Sequence, residues 1–372
     1  MAVTLNETPG SSRLHIGIFG KTNSGKSALI NAFTGQEVSI VANVAGTTTD
    51  PVYKAMEVHP LGPCIIIDTA GFGDESELGK SRMEKTRLAA EKTDIALLLV
   101  AGNGDAVLDE EEMHWYCFLK EHGTPVLFVV GKTDIRSDAQ VDKLAAAIRG
   151  KTGEEAYPVS AKTGEGMEAL KEALIRKLPE NYGSRLITGT LVDREDLVLL
   201  VMPQDIQAPR GRLILPQVQT LRELLDKKCL VMSCTTDKLK DTLCALANPP
   251  QLIITDSQVF HTVYEQKPAE SRLTSFSVLF AGYKGDIHYY VESTSAIDRL
   301  TEQSRVLIAE ACTHAPLTED IGRVKIPHLL RKRTGERLQI DIVSGNDFPE
   351  DLSPYNLIIH CGACMFNRKY VL

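Results

Sequence analysis

A glycine-rich segment near the start of the chain has the residue types and spacing of a phosphate site. The stretch Gly20-Lys-Thr-Asn-Ser-Gly-Lys-Ser27 matches the P-loop pattern and lies between an apolar run and a predicted helix. Its glycines let backbone N–H groups cradle phosphate oxygens, while Lys26 would reach the β- and γ-phosphates and Ser27 would hold Mg²⁺. The alternative is an ordinary glycine-rich turn between a strand and a helix. The pattern predicts nucleotide contacts from Gly20, Asn23, Ser24, Gly25, Lys26, Ser27 and Ala28.

Further segments indicate which nucleotide is bound. Asp68-Thr-Ala-Gly71 follows an apolar run, which would place Asp68 behind the Mg²⁺ and the Gly71 amide at the γ-phosphate. Asp134, in the stretch Gly131-Lys132-Thr133-Asp134, can accept both N–H groups of guanine. The remaining segments are Ser160-Ala161-Lys162 and Thr47-Thr48-Thr49-Asp50, with Thr48 as the predicted Mg²⁺ ligand of switch I. This order resembles the five motifs of the translation-factor class of GTPases. It predicts GTP as the nucleotide and a catalytic group formed by Lys26, Thr48 and Gly71.

Three positions of the GTPase motifs carry residues that bear on nucleotide affinity and on the rate of hydrolysis. Gly131 stands where the class usually has an asparagine that ties the guanine loop to the P-loop, so we expect weaker nucleotide affinity with guanine selectivity retained. Phe72 stands where Ras-like enzymes have a glutamine that orients the attacking water, so we expect slow intrinsic hydrolysis unless a cation or a partner assists. Asn23 resembles the asparagine that binds an activating K⁺ in tRNA-modifying GTPases of this class. The alternative for Asn23 is a tolerant loop position.

A second group of residues, with metal-ligand chemistry, lies near the other end of the chain. Cys312-Thr-His314 and His360-Cys361-Gly-Ala-Cys364 are separated by the 45 residues 315–359. Three thiolates with one or two imidazoles suit tetrahedral zinc or an iron–sulfur cluster, and the spacing alone does not separate the two. A redox Cys-x-x-Cys pair is a third alternative, weakened because the pair does not open a helix in a thioredoxin-like unit.

Alternating apolar and helical patterns must position both groups. Between residues 14 and 179, apolar runs alternate with helical stretches, which predicts a doubly wound α/β sheet carrying the P-loop. Residues 1–13 are expected to form a flexible tail. Two smaller α/β domains are predicted for 186–271 and 272–372, the second with apolar runs just before each cysteine–histidine pair.

The composition is that of an ordinary globular protein and argues against several classes of function. The 372 residues are 43% hydrophobic and 24% charged, and the formal charge of −8 offers no global attraction for nucleic acid. The apolar runs are far shorter than the roughly 20 residues of a membrane span. The N-terminus lacks the features of a secretory signal. We therefore expect a cytoplasmic protein with no nucleic-acid or membrane partner and with its eight cysteines in a reducing compartment.

The P-loop combined with this cysteine–histidine spacing resembles one family, the FeFe-hydrogenase maturation GTPases of the HydF type. The family pattern is Cys-x-His, a gap of similar length, and His-Cys-x-x-Cys, here Cys312, His314, His360, Cys361 and Cys364. The stretch Ala208-Pro-Arg-Gly-Arg-Leu-Ile-Leu-Pro-Gln217 is similar to part of the family's dimerisation domain. The resemblance spans essentially the whole chain.

The resemblance implies a role as well as a fold. It implies that Cys312, Cys361 and Cys364 hold a 4Fe–4S cluster, with His314 or His360 as a labile fourth ligand. It also implies a homodimer that works with the radical-SAM maturases HydE and HydG and delivers the diiron precursor of the H-cluster to apo FeFe-hydrogenase. GTP hydrolysis would gate partner dissociation. Family members that resemble this chain usually continue for some tens of residues, which leaves two alternatives, a truncated sequence or a missing last helix. The rival interpretation is an RNA- or ribosome-associated GTPase with a structural zinc module.

Overall fold

Two units divide the chain in the computed structural model, Met1–Tyr182 and Gly183–Leu372. The structure describes residues 10–34, 51–59, 61–73, 77–100, 108–178, 185–203, 213–310, 321–345, 347–349, 351–361 and 366–372. Each unit has its own sheets and its own apolar cores, so each is described by itself.

A six-stranded sheet with the order β2-β3-β1-β4-β5-β6 forms the first unit. Neighbouring strands are parallel, except that the edge strand β2 runs antiparallel to β3. The apolar runs do not predict β2, because an edge strand needs no continuous apolar stretch and most of its residues are exposed or half-buried. The strands are β1 (Leu14–Gly20), β2 (Val52–Val58), β3 (Gly62–Asp68), β4 (Ile95–Val100), β5 (Val126–Val130) and β6 (Ala156–Pro158).

Helices contribute to two separate cores of this sheet because its central strands are apolar on both sides. The odd-numbered residues of β4 pack in one core with α1 and α5, and the even-numbered residues pack in the other with α3 and α4. The predicted doubly wound α/β architecture is confirmed. The helices are α1 (Lys26–Thr34), α2 (Glu77–Glu91), α3 (Glu110–Glu121), α4 (Asp138–Thr152) and α5 (Met167–Lys177).

Two smaller sheets, both entirely parallel, form the second unit. Their strand orders are β10-β9-β7-β8 and β12-β11-β13. The predicted pair of smaller α/β layers after the P-loop sheet is confirmed. The strands are β7 (Leu197–Val201), β8 (Leu230–Cys234), β9 (Leu252–Thr255), β10 (Arg272–Ser275), β11 (Arg305–Glu310), β12 (Gln339–Ser344) and β13 (Leu357–His360).

β10 belongs to the four-stranded sheet, and the helix after it packs against that sheet. The sequence pattern instead predicts that a third domain begins at residue 272. β10 pairs with β9, and Phe276 and Phe280 of the following helix pack into that sheet's core. Among the described residues, no helix combines the length and apolar character that a bilayer crossing requires. The helices are α6 (Leu215–Asp226), α7 (Leu239–Ala245), α8 (Phe260–Gln266), α9 (Phe276–Lys284), α10 (Ile287–Ser293), α11 (Ile326–Thr334) and α12 (Arg368–Val371).

Candidate guanine-nucleotide site and cysteine–histidine site

The P-loop leaves the buried strand β1 in a conformation that depends on glycine. Gly20 has a φ of +154°, and a Cβ atom there would lie 2.6 Å from the carbonyl oxygen of Leu99 on β4. Gly25 has a φ of +102°, and Asn23 adopts the left-handed region at +61°, which asparagine tolerates better than most residues. The turn brings the loop directly to the N-terminus of α1, where exposed helix N–H groups can bind phosphate.

The Lys26 side chain curls back onto this loop. Its Nζ donates hydrogen bonds to the carbonyl oxygens of Gly20 and Lys21, both at 2.9 Å, and the residue is 8% exposed. Burial lowers the pKa of Lys26 to about 8, while the nearby Asp68 carboxylate acts in the opposite direction. An ammonium held in this position is suited to contact the phosphates of a bound nucleotide, as the sequence pattern predicts.

Ser27 and Asp68 could together support a Mg²⁺ ion. The Ser27 hydroxyl donates a hydrogen bond to Asp68 Oδ2 at 3.4 Å, and Asp68 is the last residue of β3. Burial raises the pKa of Asp68, which Lys26 and the Ser27 hydrogen bond partly offset. These two oxygen donors are the type that Mg²⁺ prefers. Thr48, the third predicted member of this group, lies outside the described residues together with Thr47, Thr49 and Asp50.

The segment after β3 contacts the P-loop directly. A Cβ atom at Gly71 would lie 2.6 Å from both the backbone nitrogen and the Cα of Thr22, so this approach requires glycine. The Thr22 N–H donates to the Phe72 carbonyl at 3.1 Å, and the Phe72 N–H donates to the Gly20 carbonyl at 3.4 Å. A γ-phosphate that binds the Gly71 amide would therefore act on a segment already bonded to the P-loop.

Phe72 is buried in the core instead of lining the phosphate site. It is 1% exposed, and its ring stacks on Trp115 of α3 with 5.9 Å between the ring centroids. Trp115 stacks in turn on Phe19 of β1 at 5.7 Å. An apolar ring in this position offers no hydrogen bond to an attacking water, which agrees with the prediction of slow intrinsic hydrolysis.

A cavity of about 330 Å³ lies beside the P-loop and has the lining expected of a guanine site. The Ser160 hydroxyl donates a hydrogen bond to Asp134 Oδ1 at 3.0 Å, which fixes the carboxylate predicted to accept the guanine N–H groups. Ser160 is itself fully buried, whereas Asp134 is exposed at the mouth of the cavity, where a base could reach it. The predicted residues that line the cavity are Ser24, Gly25, Ala28, Lys132, Asp134, Ala161 and Lys162, and the unpredicted ones include Leu29, Ile135 and Val159.

Lys132 joins the guanine loop to the P-loop. It adopts the left-handed region at a φ of 58°, and its Nζ donates to the Asn23 carbonyl at 2.9 Å. The residue before it, Gly131, has little space for a side chain, since a Cβ atom there would lie 2.9 Å from Leu99 Cδ1. The connection that an asparagine at position 131 would contribute is thus made at least in part by Lys132.

One ion pair at the site has no signal in the sequence. Lys21 of the P-loop pairs with Asp109, and this hydrogen bond raises the pKa of Lys21. Asp109 is also the N-cap of α3, where it forms a capping box with Glu112. Glu112 is buried, and burial raises its pKa to about 7. The pattern of Asp109 and Glu112 predicts the cap, but nothing in it predicts a partner 88 residues away.

His360 and Cys361, two residues of the second predicted site, lie at the carboxyl edge of the three-stranded sheet. β11 and β13 are parallel neighbours with Ala309 opposite His360, and the Cys361 N–H donates to the Ala309 carbonyl at 3.0 Å. His360 Nδ1 lies 2.7 Å from the Cys361 carbonyl oxygen. Cys312, His314 and Cys364 lie outside the described residues, and the part of the chain that is described contains no group of three potential metal ligands.

Three family models match the chain in succession. A model described as "50S ribosome-binding GTPase" matches residues 15–132. The "Hydrogen maturase F dimerization domain" matches 187–285, and the "Hydrogen maturase F tetramerization domain" matches 288–372. This chain belongs to the HydF family of hydrogenase maturase GTPases. The first unit is the GTPase domain, and the other two domains of this HydF-family chain indicate that it forms oligomers.

Curated relatives match the GTPase domain of this HydF-family chain. GTPase Der of Wolinella succinogenes is 37% identical over 195 residues, which cover 50% of this chain and 40% of the relative. The tRNA modification GTPase MnmE of Shewanella amazonensis is 33% identical over 184 residues, covering 49% and 39%. This chain thus spans about 40% of the length of these relatives. A solved structure of Era from Aquifex aeolicus has a TM-score of 0.40 and 20% identity, covering 63% of this chain and 98% of that one.

The lowered pKa of Lys26 predicts a pH-dependent affinity for GTP. Below pH 8 the ammonium is already charged, whereas above pH 8 the binding of a polyanion must also return a proton to it. Affinity should therefore fall by up to about tenfold per pH unit above pH 8. Calorimetric titration with GTP on both sides of pH 8 measures this. The control is Lys26→Arg, whose guanidinium stays charged. The guanine base of GTP loses a proton at high pH, and this affects both proteins equally. Parallel plots of GTP affinity against pH for the two proteins would therefore contradict the prediction.

The stacking of Phe72 on Trp115 predicts a fluorescence signal for the nucleotide state. Trp115 is the only tryptophan of the chain, and a γ-phosphate bound at Gly71 would move the neighbouring Phe72 ring. We expect a non-hydrolysable GTP analogue to change Trp115 emission more than GDP does. Phe72→Leu should reduce this difference, while Phe33→Leu, in the opposite core, should preserve it. Equal changes with both nucleotides would refute the coupling.

Proposed function

We propose that this chain is a GTP-hydrolysing scaffold that binds a 4Fe–4S cluster and delivers the diiron precursor of the H-cluster to apo FeFe-hydrogenase. One observation carries the proposal. A GTPase domain is followed, in the same chain, by two hydrogen maturase F domains. In the second of these, the parallel strands β11 and β13 end next to each other, and β13 ends at His360, a predicted cluster ligand. The GTPase domain alone would favour a simple GTPase, and the cysteine–histidine residues alone would favour a simple metal protein.

The nucleotide half of the proposal assigns each step to residues of the P-loop unit. Lys26 and the backbone of the loop would bind the phosphates, Ser27 and Asp68 would support Mg²⁺, and the Gly71 amide would contact the γ-phosphate. Thr48 would complete the Mg²⁺ site in switch I. Because Phe72 cannot orient the attacking water, hydrolysis needs help from elsewhere. We propose K⁺ at Asn23 as that help, which would add positive charge beside the phosphates.

The three-stranded sheet fits a cluster site by its topology. Parallel strands end at one edge, so the end of β11, which precedes Cys312 and His314 in the sequence, lies beside the end of β13 with His360 and Cys361. The described residues on either side of 311–320 meet at that edge too. Arg323 Nε donates to the Glu310 carboxylate at 2.9 Å, and Arg323 also donates to Ser344 at 2.8 Å. The described residues that flank the segment containing Cys312 therefore meet at the ends of β11 and β12.

The donor set fits an iron–sulfur cluster with one open position. Thiolates suit iron–sulfur clusters, and Cys312, Cys361 and Cys364 would supply three of them. When bound, such a cluster supplies one iron that is not held by cysteine and can accept an exchangeable ligand. His314 and His360 are the protein groups that could occupy this position without closing it, since an imidazole is a neutral ligand that can dissociate.

The proposed assembly is a homodimer that serves three partners. The partners are the radical-SAM maturases HydE and HydG, which would supply the diiron precursor, and the hydrogenase apoprotein, which would receive it. The dimer is supported by the edge strand β8 of the dimerization domain, where Leu230 is 60% exposed and Met232 is 40% exposed. Exposed apolar side chains on an edge strand are typical of a surface that pairs with another copy.

The second candidate is an RNA- or ribosome-associated GTPase with a structural zinc module. It is favoured by the GTPase model, whose description names 50S ribosome binding, and by the curated relative described as a tRNA modification GTPase. In that case the same cysteines and histidines would form a closed tetrahedral zinc site. The identity of the bound metal therefore distinguishes the two candidates.

The cluster proposal predicts a coloured protein after anaerobic reconstitution with iron and sulfide. We expect broad visible absorption and an EPR signal on reduction, because cysteine-held iron–sulfur clusters have both properties. Cys361→Ala and Cys364→Ala should lose them. Cys244→Ala is the matched control, since this cysteine is exposed in the same unit and lies outside the predicted ligand set. A colourless protein that retains stoichiometric zinc would overturn the proposal in favour of the second candidate.

The K⁺ proposal predicts a cation dependence of GTP hydrolysis. Phosphate release should be faster in KCl than in NaCl at equal ionic strength, because an ion at Asn23 would stabilise the charge that develops on the phosphates. The ratio of the two rates is the readout. In Asn23→Ala this ratio should fall to about one by loss of the ion's ligand. A ratio of one in the unsubstituted protein would exclude K⁺ as the missing assistance.

The scaffold proposal predicts that partner affinity depends on the nucleotide, since switch I and switch II would be ordered by the γ-phosphate and released after hydrolysis. Co-precipitation of each maturase and of the apo-hydrogenase should differ between a GTP analogue, GDP and no nucleotide. Asp134→Ala, which removes the guanine acceptor, should abolish the difference. Identical capture in all three states by the unsubstituted protein would refute nucleotide gating.

A further inference from the structure

Asp109, the residue before α3, uses its two carboxylate oxygens for two different contacts. Oδ1 accepts the backbone N–H groups of Glu111 and Glu112, at 3.1 and 2.9 Å, and this caps the helix. Oδ2 accepts a hydrogen bond from Nζ of Lys21, the second residue of the P-loop. The first turn of α3 is therefore connected to the P-loop through a single carboxylate.

The backbone of Lys21 lies where the P-loop meets the segment that follows β3. Lys21 forms a parallel bridge with Phe72, whose carbonyl oxygen accepts the Thr22 N–H at 3.1 Å. The Lys21 carbonyl oxygen also accepts a hydrogen bond from Lys26 Nζ at 2.9 Å. A restraint on the Lys21 side chain therefore acts next to Lys26 and next to the segment after β3.

The helix α3 contacts that same segment through further residues. The Trp115 ring stacks on the Phe72 ring with 5.9 Å between the centroids, and a Cβ atom at Gly73 would lie 3.4 Å from the Glu111 carboxylate. The P-loop is bonded to Phe72, Phe72 is stacked on Trp115, and the ion pair connects α3 back to the P-loop. These three contacts form a closed ring, so the loss of the ion pair would remove one of the restraints on where Phe72 lies.

We infer that Lys21 and Asp109 are positioning residues for GTP hydrolysis, whose ion pair keeps the segment after β3 where the Gly71 amide meets the γ-phosphate. The inference rests on the γ-phosphate contact proposed above for Gly71. The two side chains need not touch the nucleotide, because they act through the backbone of the P-loop and through α3. Their effect is specific to GTP, since GDP has no γ-phosphate for this segment to contact.

The exposure of the ion pair sets the size of the expected effect. The Lys21 and Asp109 side chains are each 39% exposed, so water and salt weaken their attraction. Loss of such a pair should lower the rate of hydrolysis by about two- to fivefold. The fold does not depend on the pair in the same way, because Phe72 and Trp115 are held in a large buried apolar core.

Asp109→Asn tests the inference because it separates the two contacts of this side chain. The asparagine oxygen can still cap α3, whereas its amide group replaces Oδ2 and presents Lys21 with a donor in place of an acceptor. We expect the rate of single-turnover GTP hydrolysis to fall by about two- to fivefold, with the affinity for GDP unchanged. Lys21→Met should give the same result, and the double variant should be no slower than either single variant.

Two further variants serve as controls. Lys120→Met removes an ion pair with Glu154 near the other end of α3 and should leave the rate of hydrolysis unchanged. Lys21→Arg keeps the positive charge and should retain most of the rate that Lys21→Met loses. Lys21→Met also provides an independent variant in case Asp109→Asn fails to fold.

Three results would overturn the inference. They are an unchanged rate in Asp109→Asn and Lys21→Met, additive losses in the double variant, and a loss of GDP affinity as large as the loss of rate, which would indicate a merely structural role. Normal hydrolysis in Gly71→Ala would instead contradict the proposed γ-phosphate contact, since the added methyl group meets the Thr22 backbone and must shift this segment. The two failures are therefore distinguishable.

Discussion

The nucleotide site depends on how closely the end of β1 packs against β4. Gly20 has no side chain, and this allows its backbone to approach the Leu99 carbonyl to a distance that a Cβ atom would block. The P-loop can then fold back over the start of α1, and Lys26 can donate to two loop carbonyls while remaining buried. A side chain at position 20 would move the loop away from the sheet and disturb these contacts.

That close packing also brings three separate segments into contact with the loop. Gly71 and Phe72 join it through a short parallel bridge, Lys132 joins it through the Asn23 carbonyl, and Lys21 pairs with the cap of α3. The bridge continues into the stacked rings of Phe72 and Trp115, and aromatic pairs of this kind contribute about 0.5–1.5 kcal/mol beyond their buried area. A change at the γ-phosphate can therefore reach α3 through rigid, well-packed groups.

The same principle operates at the edge of the three-stranded sheet. Parallel strands end together, so residues far apart in the chain meet where β11 and β13 finish. At this edge His360 Nδ1 lies against the Cys361 carbonyl, and the His360 ring contacts Tyr290 of α10. In both units, described residues of the predicted sites lie where parallel strands end, which is the general location of ligand sites in α/β proteins.

The amino-acid sequence alone was sufficient for the features that depend on local backbone chemistry. The P-loop requires glycines at fixed spacing before a helix, and the predicted guanine motif places Asp134 four residues after the end of a buried strand, so both are predicted from short stretches. The cysteine–histidine pairs are equally local, and their spacing was enough to indicate the family. Only the tertiary structure decided which distant residues meet. The pairing of Lys21 with Asp109, the stacking of Phe72 on Trp115 and the contact of Tyr290 with His360 join residues from different elements. The strands β2 and β10 also became evident only in the tertiary structure. An exposed edge strand and a short strand form because they pair with a neighbouring strand, more than because of their own apolar pattern.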